Sequence, residues 1–197
     1  MSSKTLAPHT ETTSTGFPSA RLGMLIFLSS EAMMFTTLIA SYLVLRSSQT
    51  MWPPPNQPAL NVTLTAINTF FLISSSFTFH IAEMQYKKGS LGKFLGWLGL
   101  TILLGVLFLS IQAYEYTNLI KEGLSLSSST YGSVFFTLTG FHGFHVFVGV
   151  LLMNIVFWRG NAKNLSTKNH AFVENVGMYW HFVDIVWICL FTTLYLL

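Results

Sequence analysis

The stretch Tyr131 to Gly149, YGSVFFTLTGFHGFHVFVG, decides the fold. It belongs to a longer run, Ser133 to Phe157, that contains no formally charged residue. That run is longer than the roughly 20 apolar residues needed to cross a bilayer, and too long for a core helix of a soluble protein. His142 and His145 lie one helical turn apart near its middle. Polar groups at such depth are costly, so their presence needs a reason.

Working outward, four further apolar runs follow the same rule: Leu22–Leu45, Val62–Ala82, Leu91–Ala113 and Val176–Leu197. Each can satisfy its own backbone in lipid only as a helix. The predicted fold is therefore all-α and polytopic, a single domain over residues 22–197 with five transmembrane helices, preceded by a polar, Ser/Thr-rich tail over residues 1–21. Composition points the same way. Charged residues make up 9% of the chain and hydrophobic ones 51%, which leaves no material for a separate soluble domain. The first run is read as a retained anchor. A polar stretch precedes it, its apolar part outruns a typical signal h-region, and no A-x-A site follows. The single cysteine, Cys189, falls within the last run, forms no intrachain disulfide and is expected to be a small packing residue.

Orientation follows from the distribution of Lys and Arg along an alternating path. Lys4, Arg21, Lys87, Lys88, Lys93, Arg159, Lys163 and Lys168 fall on one side, Arg46 and Lys121 on the other. The positive-inside rule then puts the N-terminus inside and the C-terminus outside. The net charge of +3 reads as topology and contact with anionic lipid. A nucleic-acid partner is not expected, since no basic groove alternates with exposed aromatics. Phosphate-binding Gly loops, a Ser nucleophile elbow and Cys-x-x-Cys are all missing from the sequence.

The ionisable residues inside the runs are the candidate functional residues. Glu31, in FLSSEAMMF, lies about 13 Å along the helix axis from Leu22, near mid-bilayer. A carboxyl there is expected to be protonated or held by a partner or lipid head group. A hydrophobic carbodiimide, which attacks protonated carboxyls in apolar surroundings, should label Glu31 selectively, and failure to label it would count against this reading. His142 and His145 share a helix face with Gly149, while Gly140 and Gly143 let another helix or a lipid chain come close. Two His spaced by three can supply two metal ligands, but further ligands would have to come from Glu31, Glu115, His181 or Asp184. Structural bonding across helix interfaces is the favoured role, and no metal ligand or catalytic residue is assigned.

In the last run, YWHFVDIVW puts His181 and Asp184 at i, i+3, near enough for the carboxylate to fix the ring tautomer or to lock two helices together. Tyr179, Trp180 and Trp187 fit an interface belt or a helix contact. Glu115, in QAYEY, is expected to reach water as an interfacial charge. Arg159, beside Trp158 at the end of the fourth run, suits a lipid phosphate or simply sets topology. The Trp52-Pro53-Pro54-Pro55 segment is read as a turn or a cap on a neighbouring surface.

Taken together, WPPP, LNVTLTAINT ahead of the second run, QAYEY, YGSVFFTLTGFHGFHV and YWHFVDIVW closely resemble subunit III of cytochrome c oxidase, in the haem–copper oxidase superfamily. Five motifs occur in the family's order from about Gly23 to the C-terminus. The chain lacks the two N-terminal spans of the long mitochondrial type and so resembles the short bacterial form. The resemblance implies an accessory subunit with no haem or copper of its own, those groups being held by subunits I and II. It further implies packing on subunit I, bound phospholipid, support of proton uptake while oxygen is reduced in subunit I, cytochrome c as donor elsewhere in the complex, and a bacterial inner or other energy-transducing membrane. Carried over residue by residue, the family's intramembrane Glu corresponds to Glu31, its paired His to His142 and His145, its HFVD motif to His181 through Asp184, and a lipid-associated basic position to Arg159. Quinol oxidases also have short subunits III, and WPPP with FHG favours the cytochrome c branch. Two readings from other classes are a free-standing haem or metal protein using His142, His145 and His181, and a proton-coupled transporter using Glu31 and Asp184. Transporters usually show repeated halves and broken mid-membrane helices, and neither pattern is present.

Overall fold

A computed structural model describes residues 19–55, 57–162 and 170–197. It contains α1 (Ser19–Ser47), α2 (Val62–Lys87), α3 (Leu91–Lys121), α4 (Thr130–Asn161) and α5 (His170–Phe191), followed by a short π-helical turn, Thr192–Leu196. All five helices are long and apolar enough to cross a membrane, and no strand occurs among the described residues. Most of the predicted tail, with Lys4, and the loop carrying Lys163 and Lys168 lie outside the described residues.

Every predicted span is present, and the helices run past their apolar cores. α3 continues to Lys121 instead of stopping at Ala113, and α5 begins at His170 instead of Val176. Hydropathy marks where lipid begins and ends, whereas a helix stops where its backbone is capped. Asn61 caps α2 by accepting from the Leu64 N–H at 3.0 Å, and Ser129 caps α4 by accepting from the Gly132 N–H at 3.1 Å. α2 and α3 both end in the same way. Gly89 (φ 74°) and Gly123 (φ 94°) take the left-handed conformation. The next N–H, of Ser90 or Leu124, then bonds back to the carbonyl of Gln85 at 3.0 Å or Leu119 at 2.9 Å.

α2, α3, α4 and α5 close a ring in which each helix packs on its two neighbours, and α1 leans against α5 and α4 from outside. Successive helices are antiparallel. At one end, Lys87 bridges Glu83 and Glu174, and Asn175 donates to the Ala20 carbonyl. At the other, Arg46 donates to the Leu197 carbonyl and Gln57 accepts from Ser129. This gathers Arg21, Lys87, Lys88, Lys93 and Arg159 at one end and leaves Arg46 and Lys121 at the other.

Hydroxyls that face lipid are satisfied within their own helices. Ser29, Thr36, Thr37 and Ser41 of α1 each donate to the carbonyl four residues back. The Trp52 segment is a cap: its indole donates to the Tyr42 hydroxyl at 3.2 Å and meets the Tyr42 and Tyr131 rings edge-on at 5.6 and 5.3 Å. Cys189 differs from expectation. It is exposed on α5.

Candidate functional site

Glu31 and His145 form the clearest polar contact in the bundle. α1 carries Glu31 to α4, where one carboxyl oxygen lies 3.0 Å from His145 Nε2. Their side chains are 19% and 10% exposed, so the contact is largely shielded. His145 Nδ1 lies 2.7 Å from the Phe141 carbonyl, a group that can only accept. Nδ1 therefore carries a proton, and the contact at Nε2 needs one more, held either by the carboxyl or by the ring. In both forms the pair has zero net charge, which is what an apolar bundle tolerates. Phe35 packs edge-on against the ring at 5.1 Å, and the Tyr179 hydroxyl donates to the His145 carbonyl at 3.1 Å, so α5 shares the junction.

His142 turns inward from the same helix and is completely buried. It stacks on Trp187 at 4.8 Å and meets Phe108 edge-on at 5.9 Å, and neither ring nitrogen has a hydrogen-bond partner among the described residues. The two histidines thus do different work. His145 ties α4 to α1, and His142 fills the ring between α3, α4 and α5.

The predicted pairing of His181 with Asp184 is corrected by the geometry. His181 Nδ1 meets the Ser76 hydroxyl of α2 at 2.5 Å, and neither Asp184 oxygen has a hydrogen-bond partner of good geometry. Spacing by three sets two side chains on one helix face but does not aim them at each other.

Glu115 also departs from expectation. It is 4% exposed, accepting from Thr65 at 3.0 Å and from the Tyr195 hydroxyl at 3.3 Å. The carboxyl joins α2, α3 and the π-helical turn, and is not an interfacial charge in water. Replacing Tyr195 by Phe should cost about 1 kcal/mol of local stability. The expected readout is faster amide hydrogen exchange confined to residues 192–196 (about fivefold); unchanged exchange would show that the bond holds nothing.

Tyr179, Trp180 and Trp187 are helix contacts and not an interface belt, since all three are buried. The Trp180 indole donates to Ser75 at 3.1 Å and the Trp187 indole to Thr69 at 2.9 Å. An added Cβ on Gly140 would lie 3.8 Å from the Tyr116 hydroxyl of α3, an ordinary helix contact, and a tighter approach occurs at Gly149. A Cβ on Gly149 would sit 2.7 Å from the Trp180 ring, whereas at Gly143 it would meet nothing within 4 Å. Arg159 closes α4 at the basic end, its guanidinium 5.6 Å above the Phe172 ring.

The residues missed by sequence reasoning are the acceptors and donors of α2: Thr65, Thr69, Ser75 and Ser76. Their signal was there to be read. These hydroxyls recur at helical spacing within an otherwise apolar run, and such a stripe in lipid marks a face turned to other helices. Among the described residues, no three of His, Cys, Asp or Glu come together in a group able to hold a metal ion.

Against known proteins, residues 1–197 match the family described as Cytochrome c oxidase subunit III. A protein of that name from Thermostichus vulcanus is 41% identical over 89% of this chain and 86% of its own length. Those from Synechocystis sp. (strain ATCC 27184 / PCC 6803 / Kazusa) and Bacillus subtilis (strain 168) are 40% and 41% identical, over 92% and 89% of this chain and 78% and 85% of their own. With five membrane-length helices in place and the polar residues of its motifs turned into the bundle, the chain belongs to the cytochrome c oxidase subunit III family.

Proposed function

We propose that this chain is an accessory, non-catalytic subunit of a proton-pumping cytochrome c oxidase, packed on subunit I in an energy-transducing membrane. In that arrangement the basic end carrying Arg21, Lys87, Lys88, Lys93 and Arg159 faces inside and the Trp52 cap faces outside. Haem and copper belong to the partner subunits I and II, and cytochrome c delivers its electrons there. Phospholipid binds along the bundle, with Arg159 offering a cation at the depth of lipid phosphate.

One observation carries this reading. Several interior polar groups join helices, Glu31 to His145, Ser76 to His181, Thr65 and Tyr195 to Glu115, while His142 and Asp184 make no hydrogen bond among the described residues. Groups arranged to bind neighbours suit a stabilising subunit, since redox chemistry needs ligands that converge. Outward-facing apolar side chains such as Phe141, Phe144, Phe147 and Leu151 on α4 supply surface for subunit I or lipid. Support of proton uptake rests on Glu31, His145, His181 and Asp184 lying inside the bundle.

Deletion of the subunit tests the proposal. The remaining oxidase should start at nearly the wild-type rate and then lose activity several-fold faster during turnover. An unchanged lifetime would overturn the stabilising role. Isolation of this chain free of subunit I, or with a haem Soret band of its own, would overturn the accessory assignment.

A further inference from the structure

We propose that a small cluster of water molecules is bound inside the helix ring by Asn68 of α2, Gln112 of α3 and His142 of α4. The site depends on the packing of the ring alone, so it stands or falls apart from the role proposed for the chain.

Three contacts bring these side chains to one layer. The Tyr116 hydroxyl of α3 lies 2.6 Å from Thr139 Oγ1 of α4, and the Phe108 ring of α3 meets His142 of α4 edge-on at 5.9 Å. Gln112 lies one turn from both Phe108 and Tyr116 on the same face of α3. This register sets it opposite the turn from Thr139 to His142. Asn68 enters from α2, donating through Nδ2 to the Phe108 carbonyl at 3.2 Å. Within α3 that carbonyl faces the Gln112 N–H, which places the Asn68 head group beside the same turn. Asn68 and His142 are completely buried, and Gln112 is 5% exposed.

Asn68 Oδ1, both Gln112 amide atoms and both His142 ring nitrogens have no hydrogen-bond partner of good geometry among the described residues. Gln112 does lie beside the Tyr116 hydroxyl, which Thr139 engages. A neutral imidazole offers one N–H and one lone pair, the Gln112 amide two N–H and a carbonyl, and Asn68 a further carbonyl. Donor hydrogens and acceptor groups therefore balance, and none is charged. An ion would satisfy one set and leave the other, so the ligand that fits is neutral and both donates and accepts, as water does. Direct pairing cannot take its place. His142 is clamped between Trp187, stacked at 4.8 Å, and Phe108, while Asn68 is anchored on a carbonyl. Only Gln112 is free to turn, and turning to one of them leaves the other unbonded, a costly outcome for buried polar groups. A supply of water lies nearby. Glu115, one turn beyond Gln112, lines a polar pocket of about 210 Å³ that reaches the surface at Asn61, Tyr114 and Glu122. Toward the other end the ring is closed by Phe79, Leu98 and Trp180, all buried.

Radiolytic footprinting of the assembled complex tests the site, because hydroxyl radicals born in bound water oxidise the side chains against it. Trp187 and Trp180 form a matched pair for this purpose. Both indoles are completely buried, but Trp187 stacks on His142, whereas Trp180 lies about 10 Å away along α5 with its N–H on Ser75. Trp187 should be oxidised several-fold faster than Trp180, and Gln112→Leu combined with His142→Phe should bring the two to one rate. Equal rates in the wild type, or a Trp187 excess that survives the double substitution, overturns the proposal. Should the double variant fail to assemble, a high-resolution density map of the wild-type complex decides. Separate peaks at hydrogen-bond distance from at least two of Asn68, Gln112 and His142 support the site; density joining Gln112 straight to His142, or no peak at all, sinks it.

Discussion

Replacing Trp180 by alanine is expected to destabilise the bundle by about 2–4 kcal/mol. The ring is completely buried and lies in a slot that two glycines create. A Cβ on Gly105 of α3 would come 3.0 Å from it, and one on Gly149 of α4 within 2.7 Å. Lipid tails are as apolar as an indole, so the transfer term that dominates such losses in water is absent here. What remains is the cavity between three helices, which close packing leaves few ways to refill, and a Ser75 hydroxyl deprived of its donor. Gly149→Val approaches the same contact from the other side and should cost about 1–3 kcal/mol by overpacking. The two changes are then expected to be less than additive together, because the valine methyls enter the space the indole vacated. Thermal inactivation of the assembled oxidase, with retention of this subunit followed in parallel, reads all three variants. Full additivity would mean that Trp180 and Gly149 do not share a slot.

That slot shows how far the sequence could be read. Five helices and their rough limits were legible because crossing lipid demands about 20 apolar residues whatever the neighbours are. Glu31, His142, His145, His181 and Asp184 stood out for the complementary reason, that ionisable groups within such runs are rare. Partner choice was hidden. His181 and Asp184 share a face at i, i+3, yet His181 turns to Ser76, a residue 105 positions away. Glu115 lay beyond the apolar part of its run and so read as interfacial. Only the continuation of α3 to Lys121 and the fold-back of Tyr195 bury it. Gly149 lies on the His142/His145 face of α4, about 120° around the helix from Gly143, and it is Gly149 that meets Trp180. That Trp180 is the side chain filling the space depends on how α5 crosses α4, which the helical wheel of α4 does not show.

Glu31→Leu is expected to loosen α1 specifically, opening it about thirtyfold more often. α1 is the least buried span, with only Phe35 and Tyr42 in the core, so the His145 bond is a large share of what seats it at mid-depth. A neutral bond between membrane helices averages roughly 0.6 kcal/mol, with a maximum near 1.7. Removing one member of a buried charged pair costs several times more. Because the pair shares one proton that either group can hold, its coupling should fall between these limits, at about 2 kcal/mol. Glu31→Gln separates bonding from charge: its amide can donate to the unprotonated Nε2, so α1 should stay seated, within about twofold of wild type. His145→Leu should match Glu31→Leu, and the double variant should open no more than either single one. Hydrogen exchange of the α1 amides in the assembled complex measures each opening. Additive effects of the two leucine substitutions, or a Gln variant as loose as the Leu variant, would show that the contact between Glu31 and His145 does not seat the helix.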